Sequence, residues 1–430
     1  MAVLAGAVVE QAGSGGTQSQ GIAAGVAPTG HATVVRVSAA GMRFHPDVVS
    51  VPAGDRLIIE LTNTDPDTVH DLVLDDGQGS GRLRPGTSTR LDAGVVGRDV
   101  SGWCSVIGHH RMGMTLTIRA LGGRAAPLPA AAAGAAGHDH STVGTSSTPG
   151  PGFTAYDPVL PPVEPGSVHR RTLRLREVER EVAPGVRQKL WTYNGTMPGP
   201  TLHGRVGDRF EITLVNDSQL GHSIDFHAGV RAPDQAMRTI PPGGRLVYRF
   251  TATRAGIWMY HCSTMPMSAH IANGLFGAVV IDPPGLTPVG ESYVLVQSEL
   301  YLGGNGGEVD TDKLAAERPD LVVFNGYADQ YDHRPLRVRA GERVRIWILD
   351  AGPNRSSAFH VVGGQFGTTY AEGAWLLRAG SSGGSQTLAL GPSQGGFVEL
   401  TIPEPGRYSF VSHQMIDAER GAHGTIEVTR

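Results

Sequence analysis

Three phrases spaced along the chain echo one another: VPAGDRLIIELTN (51–63), GRVGDRFEITLVN (204–216) and VRAGERVRIWILD (338–350). Each sets a glycine and a charged pair ahead of a strand of alternating character. Such a strand cannot bury its apolar face alone, so three copies of one strand-built unit is the economical reading. Further short alternating segments lie around the echoes, among them VVRVSA and VVSVPAG, then RLVYRFTA and GAVVIDPPG, then SYVLVQSEL, GFVELTIP and GTIEVTR. Strands of this length separated by turn residues are the signature of β-sandwiches. The expected fold is therefore all-β, three tandem Greek-key β-sandwich domains. The abundance of Gly (60) and Pro (29), with only 18% charged residues, fits a turn-rich chain rather than a helical one.

The expected boundaries follow from shifts in composition. Residues 1–30 read as a disordered segment rich in Gly, Ala, Ser and Gln, and 31–121 as the first sandwich. An Ala/Gly/Pro-rich linker covers 122–165, and the second and third sandwiches occupy 166–286 and 287–430. The opening MAVLAGAVVEQAGSGG is too short to span a bilayer and lacks a basic flank, so it reads as an incomplete or trimmed signal peptide. A net charge of −4 without a basic cluster gives no case for a nucleic-acid partner. His138-Asp139-His140 falls inside the linker, with no supporting shell for a metal, and reads as incidental.

The only two cysteines each sit inside a metal-ligand pattern, which sets aside inert thiols or a disulfide between domains. In the first unit His70 precedes WCSVIGHHRMGM (103–114), where Cys104, His109 and Met114 are spaced C-x4-H-x4-M. A thiolate, two imidazoles and a weak thioether form the soft ligand set of a type 1, blue copper site. His110 and Met112 compete for places in it. In the second unit GHSIDFHAG and YHCSTMPMSAHIANGL supply His222, Cys262 and His270, a second thiolate with two imidazoles. Neighbouring strand residues face opposite ways, so His261 must point away from whatever Cys262 binds. His227, at an odd offset from His222, is free to join His261 in holding another metal.

On the residues HSIDFHA, YHC…HIANG, SAFHVVGG and FVSHQMID, the chain from about Arg170 to Arg430 resembles a copper nitrite reductase. The first 120 residues resemble an extra fused cupredoxin. The resemblance implies three cupredoxin-like domains and copper as cofactor, two type 1 and one type 2 per chain. It implies a homotrimer whose type 2 copper is held by His227 and His261, with His413 from the neighbouring subunit. Asp225 and His360 map to its catalytic pair, and Val362 to an apolar position that crowds the ligand. Nitrite is the implied substrate, and its one-electron reduction to nitric oxide needs an external donor (a small copper protein, a cytochrome or a quinol-linked donor). The expected route runs from the Cys104 site to the Cys262 site and across Cys262–His261. Copper and such ligands point to an extracytoplasmic location, whether periplasmic, secreted or associated with the cell envelope.

Two positions depart from the family. Gln365 stands where many members carry a second His. Leu275 replaces the axial Met, and because Leu cannot coordinate, a raised potential is expected there. Met265 or Met267 could substitute for it, although both precede His270. Rival readings are a laccase-like multicopper oxidase acting on phenols or metal ions with dioxygen, and a non-catalytic copper electron carrier. The first needs several H-x-H pairs, and outside the linker the sequence has none. His31, His45, His169, His203, His333 and His423 fit no pattern and read as surface residues.

Overall fold

The computed structural model describes residues 26–110, 112–122 and 148–430. The apolar opening segment and the His138-Asp139-His140 element lie outside them. Six sheets pair into three sandwiches, and the echoed phrase holds the same place in each. Arg56–Asn63, Arg209–Asn216 and Arg343–Asp350 each run parallel to the strand that opens their domain, namely Ala32–Ala40, Val168–Ala183 and Glu291–Leu300. On the other edge each pairs antiparallel, with Ser88–Val95, Arg245–Thr251 and Gly395–Thr401.

Alternation along these strands buries Leu57, Ile59 and Leu61 in the first sandwich and Phe210, Ile212 and Leu214 in the second. The third copy is apolar on both faces: Ile346, Trp347 and Ile348 are all inaccessible to solvent. Its second face packs against the second sandwich, where Trp347, Val294, Val296 and Phe397 meet Leu190, Ile257, Met259 and Val280 in one core. Each such side chain contributes about 1.5–3 kcal/mol when fully buried. That is enough to hold the second and third sandwiches together as one compact unit, while the strands of the first form another.

The remaining sheets position the chemistry. Their strand order is Val48–Pro52, Thr115–Leu121, Val100–Trp103, Val73–Leu74 in the first sandwich. It is Leu202–Arg205, Phe276–Asp282, Gly256–His261, Asp225–Phe226 in the second. Cys104 and Cys262 each follow the third strand of that order. In the third sandwich Leu336–Arg339, His423–Thr429, Gly406–Ser412 and Ser357–Val361 repeat the arrangement. There the residue after the third strand is His413. One topological position thus carries Cys104, Cys262 and His413.

The echoed strands also end alike. The side-chain oxygens of Asn63, Asn216 and Asp350 accept the backbone N–H two residues on, from Asp65, Ser218 and Gly352, at 3.0, 3.1 and 3.0 Å. Asp350 is the charged member, and burial, with Glu299 and Asp417 near it, pushes its carboxyl up to about 8. A carboxyl with a folded pKa above its unfolded one disfavours the fold increasingly from about pH 4 to pH 8, and by a constant amount above that. Asp350→Asn restores the residue of the other two copies. It is expected to stabilise the protein by about 1–3 kcal/mol at pH 8, with little effect near pH 4; thermal unfolding at both pH values measures this.

Two of the histidines expected at the surface are withdrawn from it, and a third, His423, is half-buried. His169 is buried with its Nε2 2.8 Å from an Asp208 oxygen. His203 donates from Nδ1 to the Pro161 carbonyl and pairs through Nε2 with Asp282 at 3.0 Å. His423 lies between Asp329 and Asp332, whose carboxylates raise its pKa to about 10. A carboxylate partner lets the His169 and His203 rings leave water and draws His423 partly in, a pairing that spacing along the chain does not reveal. His31, His45 and His333 are exposed.

Candidate copper centres

Two groups of side chains converge in the second sandwich, on opposite sides of one dipeptide. In the first group, ligand atoms of His222, Cys262 and His270 all lie within 4.8 Å of one another. The Nδ1 atoms of His222 and His270 are 3.1 Å apart, and Cys262 Sγ lies 3.8 and 3.3 Å from them. His270 is carried by the short helix Met267–Ala272, whose last four residues are buried. Burial pushes His270 down to about 3 and lowers His222 as well, so both rings are held neutral. Burial alone would raise the Cys262 thiol, but hydrogen bonds from His222 and from the Ser223 and Thr264 backbones bring it below its ordinary value.

A thiol poised toward thiolate between two neutral imidazoles is a donor set for a soft cation, and it fits copper. Leu275 is fully buried, and its carbonyl accepts the Cys262 N–H at 3.1 Å. Met265 and Met267 are 53% and 36% exposed, so neither turns inward to replace a thioether. Trp191, which sequence reasoning passed over, packs edge-on against both His222 and His270, with centroids 5.4 and 4.9 Å away. It lies some thirty residues upstream of His222, and no ligand spacing points to it.

The first sandwich repeats this plan. Ligand atoms of His70, Cys104 and His109 lie within 4.8 Å of one another, all three residues buried. Cys104 N–H donates to the Met114 carbonyl at 3.1 Å, as Cys262 does to Leu275, and Met114 is fully buried. The competing candidates stay outside the group: His110 stacks on Trp103, and Met112 is 37% exposed. Neither cysteine is in a disulfide.

The second group in the second sandwich is Asp225, His227 and His261. Asp225 lies opposite His261 in the antiparallel pair formed by Asp225–Phe226 and Gly256–His261, so the two share a face. His227, two residues past Asp225, joins that face. His261 Nδ1 lies 2.9 Å from the Cys262 carbonyl, an oxygen that can only accept, so Nδ1 carries the proton. That leaves a lone pair on His261 Nε2, which faces His227 Nε2 at 3.0 Å. Burial and the neighbouring His261 lower the His227 pKa. Two imidazoles nitrogen to nitrogen, with the Asp225 carboxylate 3.7 Å from His227, also suit a cation.

His413 and His360 are not part of that group. They sit together in the third sandwich with ring centroids 5.4 Å apart, His413 exposed and His360 half-buried. The Gln386 carbonyl accepts from His360 Nδ1 at 2.6 Å, leaving Nε2 as the free nitrogen. Val362, Met415 and Ile416, close to these two in sequence, are 50%, 48% and 56% exposed.

The family model for multicopper oxidases matches residues 174–285. The copper-containing nitrite reductase of Neisseria gonorrhoeae is 32% identical over 289 residues, 64% of this chain and 73% of that protein. The chain belongs to the copper-containing nitrite reductases. Among solved structures, a copper nitrite reductase from Nitrosomonas europaea superposes with a TM-score of 0.56 at 32% identity, covering 61% of this chain and 94% of that one. A multicopper oxidase crystal structure matches over 61% of this chain and 89% of its own, with a TM-score of 0.54 at 30% identity. The sandwiches are therefore cupredoxin-like, and copper is the cofactor of the family to which this reductase belongs.

Proposed function

We propose that this chain reduces nitrite to nitric oxide at a type 2 copper site built from His227, His261 and the His413 of a neighbouring copy. The reading holds that His222, Cys262 and His270, and likewise His70, Cys104, His109 and Met114, each bind one type 1 copper. The observation that carries it is the dipeptide His261–Cys262, which places one residue in a group with His227 and Asp225 and the next in a thiolate group with His222 and His270. A pure electron carrier has no use for the former, and a laccase-type oxidase needs H-x-H pairs that this sequence lacks outside residues 138–140.

Nitrite, one electron and two protons give nitric oxide and water. When bound at the imidazole set, copper would supply the electron and a Lewis acid for the nitrite oxygen. Asp225 shares a face with His261, so its carboxylate can hydrogen-bond the substrate and hand over a proton. His360 presents Nε2 for the second proton, its ring held by the Gln386 carbonyl. Because His360 lies beside His413, both would come from the same neighbouring copy, and exposed Val362, Met415 and Ile416 offer apolar surface for that contact. A head-to-tail contact of this kind closes into a ring, and the ring proposed here is the homotrimer that the family resemblance implies. An external donor supplies the electrons. The compartment would lie outside the cytoplasm; among the described residues no helix is long and apolar enough to cross a membrane.

The test is anaerobic turnover of the copper-loaded protein with nitrite and a reduced dye, with nitric oxide monitored. One nitric oxide per electron is expected, and its absence overturns the reading. Asp225→Asn should lower kcat about 10²-fold or more and flatten its pH profile, leaving the thiolate-to-copper absorption unchanged.

A further inference from the structure

The two thiolate sites share a backbone plan and differ in charge. In each, the residue after the first histidine donates its N–H to the cysteine sulfur, Asp71 to Cys104 at 3.5 Å and Ser223 to Cys262 at 3.3 Å. In the first site that residue is a buried carboxylate, which accepts the Ser105 N–H and hydroxyl at 2.6 Å each. In the second it is a neutral hydroxyl, accepting the Ser263 N–H at 3.0 Å. A second contrast lies behind the histidines. Asp65 and Ser218 are counterparts, each two residues past the strand-end Asn and bonded to it. Asp65 places a carboxylate oxygen 3.3 Å from His70 Nε2, whereas His222 Nε2 is buried without a hydrogen-bond partner.

Both differences act in one direction. A negative charge near a metal favours its more highly charged, oxidised state. An imidazole whose far nitrogen is hydrogen-bonded to a carboxylate is a more basic ligand, with the same effect. We infer that Asp65 and Asp71 set the reduction potential of the Cys104 site below that of the Cys262 site. An electron shared between the two then resides on the second, the oxidation of one balanced by the reduction of the other with no proton exchanged. The carboxylates make the fused domain the electron-entry site. Met114 in the first site where Leu275 stands in the second adds to the difference, but the carboxylates produce one of their own. The inference rests on the reading that both thiolate sets bind copper.

Spectroelectrochemical titration of the full-length, copper-loaded protein tests it through the thiolate-to-copper absorption. Cys104→Ala and Cys262→Ala variants assign the two bands. Should either variant keep the absorption of the parent, the copper-site reading fails and not the gradient. The wild type is expected to show at least a tenfold equilibrium preference of the electron for the Cys262 site, about 59 mV for one electron. Asp65→Asn combined with Asp71→Ser should raise the Cys104 site tenfold or more and leave the Cys262 site in place. Ser223→Asp runs the exchange the other way on a different sandwich, and should lower the Cys262 site tenfold or more. This second variant decides the matter if the double variant fails to fold or to take up copper. A smaller preference in the wild type, or a smaller shift in the variant that folds, overturns the inference.

Discussion

Replacing His261 by alanine is expected to lower nitrite turnover about 10³-fold while both thiolate sites keep their blue absorption. A Lewis-acid metal contributes several kcal/mol to the reaction it assists, and about 4 kcal/mol corresponds to about 10³ in rate. The loss falls on the catalytic set alone because His261 and Cys262 point to opposite sides of the chain. His261 Nε2 faces His227, whereas Cys262 Sγ faces His222 and His270. The substitution leaves the Cys262 carbonyl without its imidazole donor, but that carbonyl belongs to the backbone and not to the thiolate site. The measurement pairs steady-state nitric oxide production with the visible spectrum and copper content. Loss of the Cys262 absorption together with turnover would mean that one metal site, not two, spans the dipeptide.

Mixing two inactive variants should restore activity. Neither His261→Ala nor His413→Ala is expected to turn over alone. If His413 completes the site of a neighbouring copy, chains co-assembled in equal amounts form intact sites wherever an unaltered His261 meets an unaltered His413. For random assembly into a ring, that is about one site in four, hence about a quarter of wild-type activity per chain. A site closed within one chain would recover nothing, because every chain carries one of the two lesions. The described structure already separates the parts: His227 and His261 lie in one group, and His413 stands with His360 on the third sandwich.

Much of this was legible in the sequence because period-2 patterning survives in soluble strands. The echoed phrases mark the same central strand of each sandwich, and alternation alone separates His261 from Cys262. Spacing around Cys104 and Cys262 located the histidines that the fold gathers around them. Other features left no local trace. Asp208 and Asp282 bury His169 and His203 from 39 and 79 positions away. Trp191 reaches His222 and His270 from the adjoining sheet, and the Gln386 carbonyl that fixes the His360 ring is a main-chain atom. Asp65 and Asp71 were visible as residues, but their meaning came only from setting them beside Ser218 and Ser223.

The ligand loops run from Cys104 to Met114 and from Cys262 to Leu275, ten and thirteen positions, yet both close with the same N–H to carbonyl bond at 3.1 Å. The length difference is taken up between those anchors, where the second loop coils into Met267–Ala272. Both loops are therefore clipped at matching points on two copies of one frame and differ in what lies between the clips. A frame clipped this way carries ligand loops of two lengths on one and the same order of strands.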